Sequence, residues 1–240
     1  MLYSLPPLVI PFPANRRILH VGNRALEPSE KKATPKLQTE SISLDLYKAL
    51  VNRCAAERLN QDIANGSAAH ARILISKLFE VAKKEVLIVT GHLSEASDAG
   101  IPIYADDDVI ANAQKFLRNS ESRLSIIPQS GTIDSGEKNK FLFYLREDKR
   151  RLGTVTVYLP EPGLVEDASP HFMVSDGWAY RFETGADALP ANESITAVAN
   201  FGNPTAALTF VEMFKNLEYI LETDDVLNRT ITYKVGGVAV

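Results

Sequence analysis

Two short apolar runs constrain this chain more than anything else in it. Glu85-Val86-Leu87-Ile88-Val89-Thr90 and Arg123-Leu124-Ser125-Ile126-Ile127-Pro128 are brief, continuous and rich in β-branched residues. Runs of this kind read as strands buried on both faces. Between them, Asp106, Asp107 and Asp108 precede Val109, Ala113, Phe116 and Leu117, which fall at helical spacing. A strand, a helix and a second strand in this order suggest a parallel βαβ unit, right-handed by default. The pattern then repeats. Phe141, Leu142, Tyr144 and Leu145 lie on a short predicted helix, and residues 154–159 alternate as a strand. The expected fold class is α/β.

The flanks are less regular. Residues 1–40 carry prolines and charges without a sustained period and read as an extended arm. Leu46, Leu50, Cys54 and Ile63 predict a helix from Leu44 to about Ala64, ended by Asn65-Gly66. Ser67 is placed to cap the next helix, whose face holds Leu74, Leu78, Val81 and Ala82. Downstream, strands are expected at 171–175, 178–183 and 195–201, the first two joined at the hairpin pair Asp176-Gly177. Asn203 and Pro204 then open a helix carrying the stripe Ala207, Val211, Phe214, Leu217 and Leu221. The expected division is an extended arm (1–40), an N-terminal helix (41–66), an α/β domain (67–223) and a strand-prone tail (224–240).

Composition removes several classes. Of 240 residues, 45% are hydrophobic and 23% charged, which excludes collagen-like and low-complexity chains. The single cysteine, Cys54, forbids an intrachain disulfide and fits a reducing compartment. A net charge of -4 offers no global field for nucleic acid or anionic lipid, so such binding would have to be local. No run approaches the roughly 20 apolar residues that span a bilayer. The apolar start is broken by Pro6, Pro7, Pro11 and Pro13, with Arg16 and Arg17 after it rather than before, unlike a secretion leader. The expectation is a soluble cytoplasmic protein without membrane contact.

The densest cluster of chemistry-bearing residues is His171-Phe-Met-Val-Ser-Asp176-Gly177, followed by Tyr180, Arg181 and Glu183, with Asn200-Phe201 beyond. An imidazole can attack phosphorus or carry a proton, and a carboxylate can orient it. His171, Asp176 and Asn200 are therefore the candidate catalytic residues. Arg181, with Lys149, Arg150 and Arg151, is the candidate phosphate-binding set. A bland reading competes: His171 opens a strand, Asp176 makes a turn, Arg181 pairs with Glu183, and Lys149 to Arg151 form a solvated helix end. His92 follows the first strand of the βαβ unit, Asp106 to Asp108 suit a helix start better than a cation, and Cys54 fits the core. Phosphate loops, His-Glu-x-x-His and Cys-x-x-Cys motifs are absent, so no metal or cofactor is expected.

The order of these elements, then His171 to Gly177, then Asn200-Phe201 and a closing amphipathic helix, resembles one phospholipase D-like domain over about residues 68–223. That family's motif is His-x-Lys-x4-Asp followed by Gly-Ser-x-Asn. The resemblance implies a phosphodiesterase or nuclease fold whose histidine forms a phosphohistidine, and two such domains sharing one site in a dimer or tandem. Here the motif is degenerate. Anchored on Asp176, the histidine place falls on Ser169 and the lysine place on His171. Anchored on His171, the lysine place is Met173 and the aspartate place Trp178. Ala197-Val198 replaces the Gly-Ser pair before Asn200.

Three functions from different classes follow. The first is a catalytically degenerate module that binds a protein partner, as a homodimer, within a bacterial multi-protein system such as defence or DNA processing. The second is a divergent, metal-independent phosphodiesterase using His171. The third is a nucleic-acid-binding protein that does not cleave. The first is the expectation carried forward.

Overall fold

A computed structural model of the protein describes residues 36–91, 103–128, 139–160, 170–183, 197–223 and 229–233. Its first helix, α1, runs Lys36–Glu57. Arg58 ends it in the left-handed region, with φ at 50°, and the Leu59 N–H reaches back to the Cys54 carbonyl at 2.9 Å. This is the bonding of a Schellman stop, with arginine where glycine is usual. The helix expected over 41–66 therefore starts earlier and ends earlier. Ile63–Asn65 is instead a short strand, β1. Three residues are too few to display a period of two, and Ile63 fitted the helical stripe equally well.

Ser67 caps α2 (Ala68–Val81) as expected, its side chain accepting from the His70 N–H at 3.2 Å. The repeating units follow as β2 (Glu85–Thr90), α3 (Asp107–Phe116), β3 (Arg123–Pro128), α4 (Lys140–Glu147) and β4 (Thr154–Leu159). β2, β3 and β4 pair in parallel, with Glu85 beside Arg123 and Arg123 beside Thr154. Asp106 caps α3 by accepting from the Asp108 and Val109 N–H groups, and Asp107 and Asp108 complement the helix dipole.

The chain then turns antiparallel. β5 (Phe172–Ser175) pairs with β2 and with β6 (Ala179–Glu183), β6 pairs with β7 (Ala197–Asn200), and β7 pairs with β1. The hairpin forms where expected, with φ positive at both Asp176 and Gly177 and the Trp178 N–H donating to the Ser175 carbonyl at 3.1 Å. Helix α5 (Pro204–Thr223) follows, and β8 (Arg229–Tyr233) gives the strand-prone tail its place, antiparallel to β4. Among the described residues the sheet has eight strands in the order β1-β7-β6-β5-β2-β3-β4-β8.

Alternation along the strands feeds two cores. Val86, Ile88, Ile126 and Met173 face α1 to α4 and pack with Leu74, Phe79, Phe116 and Phe141; buried Cys54 belongs to this core. Leu87, Val89, Ile127, Phe172 and Tyr180 face α5 and pack with Phe210, Phe214 and Leu221. Each such side chain contributes roughly 1.5–3 kcal/mol on burial. The fold class is α/β, as the sequence predicts, and among the described residues no helix is long and apolar enough to cross a membrane.

Candidate functional site

The hairpin register decides which polar side chains meet. Phe172 pairs with Phe182, so His171 stands across from Glu183, whose N–H donates to the His171 carbonyl at 2.8 Å. Met173 and Ala179 point into the core beneath α1 to α4, and side chains two residues away share their face. His171, Arg181 and Glu183 therefore lie on that face, at the edge where β2 ends.

Their side chains form a chain of contacts. His171 Nδ1 lies 2.7 Å from Glu183 Oε2, and Arg181 donates to Glu183 Oε1 at 2.8 Å. The Arg181 side chain is only 6% exposed. Burial raises the Glu183 pKa, but the His171 hydrogen bond and the Arg181 charge outweigh it and hold the carboxyl below its ordinary value. Tyr104 is half-buried, close enough to feel Arg181 and Glu183, and is hydrogen-bonded to Thr90; desolvation raises its phenol well above the usual range. Burial does the same to Tyr47, opposed by Arg181. A Cβ at Gly91 would lie 2.8 Å from His171 Cε1 and 3.1 Å from Nε2. Glycine is thus what lets the imidazole approach the backbone just past β2.

The other predicted residues lie elsewhere. Asp176 is at the far end of β5, about 16 Å away at about 3.3 Å per residue. Its carboxylate accepts the backbone N–H groups of Lys83, Lys84 and Glu85, each at 2.8 Å. Asn200 is fully buried beside Tyr180, donating to Asn60 and Asp62 side chains at 3.1 and 2.8 Å and accepting from the Gly202 N–H at 2.8 Å. The expected grouping of His171, Asp176 and Asn200 does not form, because Asp176 and Asn200 are occupied in fastening loops to the sheet.

The expected phosphate set also divides. Arg181 joins His171. Lys149 and Arg150 are exposed ahead of β4, at the opposite edge, where Arg150 pairs with Asp148 at 3.2 Å; Arg151 is buried. His92 lies outside the described residues. Sequence reasoning weighed Glu183 only as a partner for Arg181 and passed over Gly91, Thr90 and Tyr104. The Asp176-Gly177 pair alone was not a sufficient signal: a two-residue turn there would set Phe182 opposite His171, whereas Ser175 pairs with Ala179, and the extra residue Trp178 shifts the register to put Glu183 in that place.

A carboxylate on Nδ1 orients an imidazole and fixes its tautomer, the arrangement a nucleophile or proton carrier needs. Phosphoryl chemistry also needs cations around the reacting phosphorus. Arg181 is the cation that the described residues bring to His171, and Glu183 balances it. Met173, counted as the lysine place from His171, is buried and apolar. Among the described residues, no group of three His, Cys, Asp or Glu is placed to hold a metal.

No family model matches the chain, and no curated protein matches it. Solved structures do. A phospholipase D family member, Nuc from Salmonella typhimurium, is 11% identical with a TM-score of 0.42, over 68% of this chain and 90% of that one. NucT from Helicobacter pylori is 9% identical with a TM-score of 0.44, over 67% and 96%. TrmBL2, an archaeal chromatin protein with a novel mode of DNA binding, is 12% identical with a TM-score of 0.45, over 76% and 62%. Each of these three likenesses has an identity of 12% or less and a TM-score of 0.45 or less.

Proposed function

We propose that this chain is a phospholipase D-like module without phosphodiesterase activity, which binds a protein partner as a subunit of a bacterial multi-protein system. The observation that carries the reading is the charge at His171. Arg181 is tied to Glu183 at 2.8 Å, and buried Met173 occupies the lysine place. Among the described residues, an incoming phosphodiester would meet a carboxylate with a single compensated cation, a poor environment for developing negative charge. The subunit role and its assembly as a homodimer rest on the resemblance to a family whose domains pair.

Incubation with DNA or RNA is expected to leave the strands intact, and light scattering at micromolar concentration is expected to report a dimer. Hydrolysis that depends on His171 would overturn the first statement, and a monomer the second. One observation favours a different reading. The 2.7 Å contact between His171 Nδ1 and Glu183 is what a working imidazole needs, and it supports a divergent, metal-independent phosphodiesterase. The same assay decides between the two.

A further inference from the structure

The edge of the sheet where β2, β3 and β4 begin is lined by cations. Lys83 and Lys84 precede β2, Arg118 and Arg123 lie before and at the start of β3, and Lys149 and Arg150 precede β4; all six are exposed. The segments that carry them are fastened together. The Arg123 N–H donates to the Lys84 carbonyl at 2.8 Å and the Asn119 side chain to the Lys83 carbonyl at 3.0 Å. The Leu152 and Gly153 N–H groups both reach the Leu117 carbonyl at 2.8 Å, and the Thr154 N–H reaches the Ser122 carbonyl at 2.9 Å. Gly153 permits this close approach, since a Cβ there would fall 2.1 Å from Ser122 Oγ and 2.8 Å from the Ser122 carbonyl oxygen. Adjacent strands lie about 4.8 Å apart, so the row crosses about 10 Å from β2 to β4 on a rigid base.

Few acids oppose it. Glu121 is exposed and Glu85 half-buried, exposed Glu147 pairs with Arg146, and Asp148 is buried against Arg150. Asp176 is engaged by the three backbone N–H groups of Lys83, Lys84 and Glu85. Of the six cations, only Arg150 has a carboxylate within ion-pair distance among the described residues. The row continues toward the hairpin, where exposed Arg58 stacks over Trp178 at 4.4 Å. A chain of net charge -4 thus concentrates positive charge on one edge.

We propose that this edge is a binding surface for the phosphate backbone of nucleic acid, separate from the His171 cluster at the opposite edge. A line of fixed cations at strand spacing suits successive phosphates and carries no means of reading bases. A lipid surface fits less well, because the large exposed apolar side chains near these cations among the described residues are Leu152 by β4 and Leu208 beside Gly177 at the hairpin, and interfacial binding needs a continuous apolar face.

The test is fluorescence anisotropy of a labelled mixed-sequence DNA duplex with the full chain across a salt series. Binding should weaken as salt rises. Lys83→Glu/Lys84→Glu and, separately, Lys149→Glu should each weaken it about tenfold and flatten the salt slope by about one unit for every phosphate no longer neutralised. Lys215→Glu, a charge reversal on the exposed side of α5, should leave it unchanged. Thermal melts confirm that each variant is folded. Absence of binding at low salt, binding that both edge variants retain, or binding only to phosphatidylserine vesicles would overturn the proposal.

Discussion

His171 and Asp176 stand at opposite ends of β5, one paired with Glu183 and the other holding three backbone N–H groups. Five residues of extended chain put them beyond each other's reach, so they do different work. His171 sits at the edge where β2 ends. Asp176 locks the hairpin turn onto the segment between α2 and β2, and its own N–H donates to the Glu85 carbonyl at 2.9 Å.

Asp176→Ala is expected to cost stability rather than any ligand affinity. Three charge-assisted hydrogen bonds disappear, and about 3–5 kcal/mol is a reasonable total. Asp176→Asn keeps one accepting oxygen and tolerates positive φ, so it should lose about half as much. Urea denaturation of the three proteins checks the order wild type, Asn, Ala.

Glu183 gives the protein a titration in acid. Its carboxyl is held below its ordinary value in the folded state, with burial opposed and overcome by His171 and Arg181. A depressed carboxyl contributes stability that is present above its unfolded pKa and lost as pH falls through the folded one. The urea midpoint of the wild type should therefore fall between pH 6 and about pH 3.5 more steeply than that of Glu183→Gln. Parallel curves for the two would contradict the assignment.

Arg181 and Glu183 should prove coupled. Arg181→Met removes a buried cation and leaves the carboxylate facing His171 alone; breaking a buried pair costs about 3–5 kcal/mol. The double variant Arg181→Met/Glu183→Gln should recover about 1–3 kcal/mol of that loss. Additive losses in a double-mutant cycle would mean that the 2.8 Å hydrogen bond carries no energy.

Two glycines separate backbone from side-chain crowding. At Gly202 a Cβ would meet the Arg58 carbonyl oxygen at 2.1 Å and the Leu59 carbonyl carbon at 2.5 Å, so Gly202→Ala must shift main chain. At Gly91 the obstacle is the His171 ring, which can rotate away. Gly202→Ala is expected to cost about 3 kcal/mol or more and Gly91→Ala about 1–2 kcal/mol. Only Gly91→Ala should move the His171 ring resonances in an NMR spectrum.

The central sheet was readable because β2 and most of β3 are buried on both faces, and that burial writes itself as short runs of Val, Ile and Leu, interrupted in β3 by half-buried Ser125. The start of α3 at Asp106 and the cap at Asn203 were readable because capping is local: Asn203 accepts from the Ala206 N–H at 3.2 Å. What escaped was long-range. Asp176 looked like an ordinary turn residue, since its partners lie more than 90 positions away in the chain. Asn200 looked like a motif residue for the same reason, its partners Asn60 and Asp62 being far upstream. The pairing of His171 with Glu183 also escaped, because a two-residue turn at Asp176-Gly177 puts Phe182 opposite His171, and the extra residue Trp178 shifts the register by one. Of the cationic edge, the sequence shows only the Lys149-Arg150 pair as a phosphate-binding candidate, because the six residues from three segments meet only when β2, β3 and β4 align.

Whether the His171 cluster is catalytically silent is decided by cleavage of end-labelled single- and double-stranded DNA and RNA, using the wild type and His171→Ala, each with and without EDTA. Intact substrate is expected in every lane, with both proteins folded. Cleavage by the wild type that persists in EDTA and disappears in His171→Ala would contradict this and make the His171–Glu183 pair the centre of a metal-independent phosphodiesterase.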